Sequence, residues 1–101
     1  LQGGELYLEP KVASHFVTTC DENDLTVIGI EGFELRDGRL TPRLDLIADY
    51  SSAKAETWNE YKSLCNKLAA GFIAQDAHEA NLMLNLVVMA RTESNYRIDA
   101  Y

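Results

Sequence analysis

The chain has 101 residues, 47% of them hydrophobic and 25% charged, with a net charge of −7. That length fits one domain, residues 1–101, with a single modest core. The negative charge argues against a nucleic-acid surface and against anionic membranes, since both would repel it. No apolar run reaches the roughly 18 residues of a membrane span, and the first residues lack the basic-then-apolar pattern of a signal peptide. Cys20 and Cys65 are the two cysteines. That is too few for a disulfide scaffold, and the pair reads as reduced thiols in a cytoplasmic protein.

The charge is unevenly placed. Residues 1–50 carry ten carboxylates against four cations, whereas residues 51–101 carry six against five. A field of one sign bears on partners and encounter rates, not on fold.

Taken in chain order, Glu5–Glu9 (Glu-Leu-Tyr-Leu-Glu) reads as a short edge strand stopped by Pro10. Residues 14–20 are β-branched and aromatic, which favours a second strand. Asp21-Glu22-Asn23-Asp24 is a turn, and Leu25–Leu35 is again strand-like. Asp37-Gly38 between apolar runs predicts a two-residue hairpin that sets Leu35 opposite Leu40 and Phe33 opposite Pro42. That register would bury Glu31 beside Leu44. A β-bulge at Glu31-Gly32 is therefore expected, turning Glu31 to water and bringing Ile28 and Ile30 onto the face of Phe33 and Leu35. In the return strand, Leu40, Leu44, Leu46, Ala48 and Tyr50 share one face. Thr41, Arg43, Asp45 and Asp49 share the other, with Ile47 an apolar exception.

Ser51-Ser52 offers an N-cap. The helix after it places Trp58, Tyr61, Leu64, Cys65, Leu68 and Phe72 on one stripe, with Lys62, Asn66 and Lys67 largely off it. Asp76-Ala77-His78-Glu79 has the form of a capping box opening a second helix. For residues 77–93 a strand competes, because Leu82, Leu84, Leu86, Val88 and Ala90 also alternate; helix is preferred. Tyr96–Tyr101 is a candidate last strand. The expected architecture is α+β: a three- to four-stranded antiparallel meander over residues 5–50, then two helices packed on one face, with a C-terminal edge strand as an option.

Chemical motifs are sparse. The acidic turn from Asp21 resembles the start of a calcium loop, but Thr26 and Gly32 occupy the positions where that loop needs glycine and a bidentate glutamate. His15 and His78 are scattered, and His78-Glu79 lacks the second histidine of a zinc-protease helix. A structural zinc site is not expected. No glycine opens a helix as a phosphate loop does, and no serine has the glycine flanks of a nucleophile elbow. No catalytic, metal-ligating or cofactor-binding residue is therefore assigned.

What remains is the acidic sheet. Asp21, Glu22, Asp24, Glu31, Glu34, Asp45, Asp49 and Tyr50 are the candidate partner-binding residues. The function expected from them is a non-enzymatic inhibitor or immunity-type protein that neutralises a basic partner such as a nuclease toxin. A homo-oligomeric assembly domain, joined through Ala77–Ala90 or an open sheet edge, is the alternative. A third reading is a small enzyme or ligand-binding subunit with a pocket near Trp58, Tyr61 and His78.

Overall fold

The structure is a computed structural model that describes residues 6–96. It is an α+β fold: a four-stranded antiparallel sheet with two helices. The elements are β1 (Tyr7–Leu8), α1 (Pro10–Glu22), β2 (Leu25–Arg36), β3 (Arg39–Asp49), α2 (Trp58–Asp76) and β4 (Leu82–Ala90), followed by one 3-10 turn, Arg91–Glu93. Among the described residues no helix is long and apolar enough to cross a membrane.

The spatial order is β1-β4-β2-β3, with every neighbouring pair antiparallel. Only β2 and β3 form a hairpin. β1 runs parallel to β2 with β4 between them, and β3 runs parallel to β4 with β2 between them. Each parallel pair needs a crossover, and α1 and α2 supply the two. The strands over residues 5–50 are therefore not a meander.

Two elements differ from expectation. Residues 14–20 are helical, not extended. Ala13, Val17 and Cys20 recur at helical spacing and are all buried, and Pro10 sits where a missing N–H costs nothing. Burying that stripe against the sheet outweighs the β propensity of the individual residues. The helix stops at Asn23, whose N–H reaches the Thr19 and Cys20 carbonyls, and Asp24 reverses the chain in the left-handed region, φ 60°. The second difference is β4, where a helix was expected. Asn81, also left-handed at φ 69°, opens the strand. Leu82 and Leu84 then enter the core in alternation, and β4 becomes a central strand between β1 and β2. The α2 cap is Thr57, which accepts the Glu60 N–H at 3.2 Å, rather than Ser51-Ser52. The optional strand over residues 96–101 lies, apart from Tyr96, outside the described residues.

The Asp37-Gly38 hairpin and its pairs Leu35–Leu40 and Phe33–Pro42 stand as expected. The register break also falls between Glu31 and Gly32, and Glu31 is exposed. Its form differs. Glu31 pairs with Ile47 and Gly32 with Arg43, so the extra residues, Leu44–Leu46, are on β3. β2 keeps its alternation there, and Phe33 and Leu35 face away from Ile30. Gly32 explains the placement. A Cβ on it would lie 2.5 Å from the Leu46 Cβ, so Leu46 fills the space a side chain would take.

The core lies between the helices and one face of the sheet. Ala13, Val17 and Cys20 of α1 and Ala69 and Ile73 of α2 meet Val27, Ile30, Leu46, Leu82 and Leu84. A second cluster, Trp58, Tyr61 and Cys65, gathers Ile28, Met89 and Tyr96 at the start of α2. Ile28 reaches it because a second register break makes Ile28 the extra residue of β2 between Val27 and Gly29.

Candidate functional site

Both helices pack on the face that carries Ile30 and Leu84. Among the described residues the opposite face has no helix over it from Gly29 to the hairpin, while beyond Val87 its Met89 packs against Trp58 and Tyr61 at the start of α2. Register assigns its side chains. Leu35 stands with Leu40, Phe33 with Pro42 and Met83, Glu31 with Ile47 and Asn85, and Gly29 with Asp49 and Val87. Tyr7, paired with Asn85, joins them and meets Phe33 edge-on, ring centroids 5.2 Å apart.

This face is apolar and wet. Ile47 is 50% exposed, Val87 43%, Leu35 40% and Leu40 38%. Scattered apolar side chains are ordinary on a surface, but a contiguous set on one sheet face marks an interaction site. Its charged groups by register are Glu31 and Asp49, and none of the strand residues on it is a lysine or arginine. Hydrogen bonding from Ser51, side chain and then backbone, holds the Asp49 carboxyl below the usual aspartate range.

A hollow of about 290 Å³ lies on this face at Gly29. Its floor is Gly29, where no side chain rises from the strand. Ile47 and Val87 wall it, and Glu31, Asp49 and Ser51 stand around it.

The eight residues singled out from sequence fall in several places. Glu31 and Asp49 are on the uncovered face. Glu34 and Asp45 belong to the other end of the β2-β3 ribbon, around Arg43. Arg43 bonds Asp45 at 2.8 Å and Glu79 at 3.0 Å, and lies 3.9 Å from Glu34, which also pairs with Arg36. Asp24 is at the start of β2, about 33 Å from Glu34 at 3.3 Å per strand residue. It accepts the Trp58 indole N–H at 2.7 Å and has Lys62 at 3.5 Å and Arg91 at 3.8 Å. The indole hydrogen bond, with the two cations behind it, lowers its carboxyl pKa. Asp21 accepts from the Asn66 amide at 2.8 Å, and Glu22 is exposed at the end of α1. Tyr50 is half-buried with its hydroxyl donating to the Leu68 carbonyl, and burial raises its pKa. Cations thus interleave with the carboxylates at both ends of β2, and the face without cations is the apolar one.

The thiols and imidazoles are also dispersed. Cys20 and Cys65 are buried with thiol pKa values raised by desolvation, while His15 and His78 are exposed. Trp58 opens α2, and His78 lies beyond its far end, about 30 Å away at 1.5 Å per residue. Among the described residues no three His, Cys, Asp or Glu side chains are grouped as metal ligands.

Leu35, Leu40 and Val87 were not read from sequence as surface residues, and Ile47 was placed on the polar face of its strand as an apolar exception. Two signals pointed to them: Ile47 breaks the polar alternation of β3, and β4 is apolar at nearly every position, as a strand with two apolar faces would be. No family model matches the chain, and no curated protein is detectably similar to it.

Proposed function

We propose that this is a non-enzymatic protein-binding domain that holds a basic partner protein against the uncovered face of its sheet. One observation carries the reading: a continuous apolar surface whose fixed charges, Glu31 and Asp49, are both negative. Apolar contact supplies affinity once desolvated, and charge of one sign selects the partner and speeds encounter. An inhibitor or immunity-type protein that neutralises a basic toxin is one member of this class; the charge sign supports it. The second reading, self-association, meets two obstacles. A second copy would set the same carboxylates against each other within a chain of charge −7. The free edge of β3 carries Pro42, Arg39, Arg43 and the Leu44–Leu46 bulge, all of which discourage strand addition.

Selection from a random peptide display library tests the proposal. Enriched peptides are expected to combine apolar residues with lysine or arginine. Ile47→Glu should weaken them at least tenfold, whereas Gln75→Glu, the same charge change on exposed α2, should not. Enrichment that ignores Ile47→Glu, or no enrichment at all, overturns it. Light scattering at micromolar concentration should report a monomer.

A further inference from the structure

The hollow over Gly29 differs in kind from the rest of the uncovered face. Elsewhere that face presents side chains: Phe33, Leu35, Leu40 and Pro42 toward the hairpin, Met83 and Tyr7 toward β1. At Gly29 the strand surface drops to the backbone. A Cβ there would find only ordinary contacts, 3.4 Å to the Ala48 carbonyl oxygen and 3.6 Å to Val87. Neither crowding nor a positive φ therefore requires glycine at this position, unlike at Gly32 and Gly38. Its absent side chain leaves room for something else.

The shape and chemistry of the hollow specify what fits. Its walls, Ile47 and Val87, are aliphatic and half exposed. Its carboxylates occupy diagonal cross-strand positions, Glu31 opposite Ile47 and Asp49 opposite Gly29. Such positions lie about 7–8 Å apart, close enough for one flat cation to meet both. The volume, about 290 Å³, exceeds that of one long side chain. A lysine or arginine side chain is an aliphatic stem with a charged head, and this hollow is an aliphatic slot with two acids at its rim. The bare anionic head of a phosphate or carboxylate would be repelled, and a purely apolar side chain would leave the rim unmatched.

We infer that the Gly29 hollow is the anchor site for a single lysine or arginine side chain of the partner, its stem lying between Ile47 and Val87 and its head between Glu31 and Asp49. This rests on the uncovered face being the binding surface. It deepens that reading by naming the element recognised. Arginine is the better occupant, since a planar guanidinium can give hydrogen bonds to two carboxylates at once.

n-Butylguanidinium, the arginine side chain together with its Cα carbon, tests the site directly. In an amide NMR titration it should shift Gly29, Glu31, Ile47, Asp49 and Val87 saturably, while uncharged n-butylurea should not. Gly29→Val fills the hollow yet leaves both carboxylates, and should weaken the response at least fivefold. The double variant Glu31→Gln, Asp49→Asn should do the same with the hollow open, so the inference does not depend on Gly29→Val folding. Equal response in Gly29→Val, or shifts spread over every exposed carboxylate, overturns the anchor. If the anchor fails while Ile47→Glu still abolishes peptide binding, the face remains the binding surface and only its recognition element changes. If Ile47→Glu is also silent, the functional proposal falls with it.

Discussion

The side-chain amide of Asn66, on α2, takes the place of a missing strand beside Val27. Its Oδ1 accepts the Val27 N–H at 2.8 Å, and its Nδ2 donates to the Leu25 carbonyl at 3.0 Å and to the Asp21 carboxylate at 2.8 Å. β3 pairs with β2 only from Gly29 onward, and Tyr50 N–H serves the Ile28 carbonyl just beyond. The start of β2 would otherwise present buried backbone groups to an apolar helix. One asparagine, 4% exposed, ties the end of α1, the start of β2 and the middle of α2 together.

Replacing Asn66 with leucine keeps the branched shape at a larger volume and removes both backbone partners. Each orphaned buried group costs about 1–3 kcal/mol, so Asn66→Leu should lose about 2–6 kcal/mol of stability. Urea unfolding with an unchanged m-value reads it. A loss below about 0.5 kcal/mol would mean that the Val27 and Leu25 groups find water instead.

Gly32 and Gly29, three residues apart on the same strand, should respond oppositely to a methyl group. Gly32→Ala must displace Leu46, whose Cβ and carbonyl oxygen stand 2.5 and 3.0 Å from the new atom. Overpacking of this kind costs about 1–3 kcal/mol. Gly29→Ala meets nothing closer than 3.4 Å and should be neutral or stabilising, because alanine restricts the unfolded chain. Thermal unfolding of the two variants side by side makes the comparison.

Asp24 gives stability an acid limb. Its folded pKa lies below its unfolded value of about 3.8, chiefly through the Trp58 indole hydrogen bond. A depressed carboxylate stabilises the fold at pH values above its unfolded pKa, and that contribution is lost as pH falls through the folded pKa. The loss should therefore develop below about pH 5. Asp24→Asn keeps an acceptor for Trp58 and tolerates the left-handed backbone, but cannot titrate. Its denaturation midpoint should change less between pH 6 and pH 3 than that of the parent. Parallel curves would assign the acid limb to Asp45, Asp49 and Glu79, whose carboxyl pKa values are also lowered.

The two thiols should be silent in the folded protein. Cys20 and Cys65 are buried, and desolvation raises both pKa values. The thiolate is the nucleophile, so alkylation by iodoacetamide at pH 8 should be slow and should accelerate sharply in urea. Rapid labelling of either cysteine in native buffer would show that its cluster opens locally.

Local signals settled the local geometry. Asp37-Gly38 fixed a tight turn because few other pairs adopt positive φ at both positions, and the pairs Leu35–Leu40 and Phe33–Pro42 followed from it. Glu31 had to reach water, since a lone buried carboxylate is too costly, and that placed the register break correctly. Even there, sequence left open which strand absorbs the extra residues. The answer depends on Leu46 finding the empty space over Gly32, a contact between residues on different strands.

Long-range choices lay outside such reasoning. Residues 10–22 and 82–90 each fit both periodicities, and only their neighbours decide which is realised. Ala13, Val17 and Cys20 gain burial as a helix against the sheet, and β4 gains two hydrogen-bonded flanks by inserting between β1 and β2. The same holds for the candidate site. Sequence alone established an acidic chain with a surplus of apolar strand residues, because composition and alternation are properties of each residue and its near neighbours. That both helices cover one face, leaving Ile47, Val87, Glu31 and Asp49 together around Gly29, was decided by tertiary packing. The β2-β3 hairpin brings residue 47 beside residue 29, the α2 crossover brings residue 87 to its other side, and burial of the opposite face fixes which way they point.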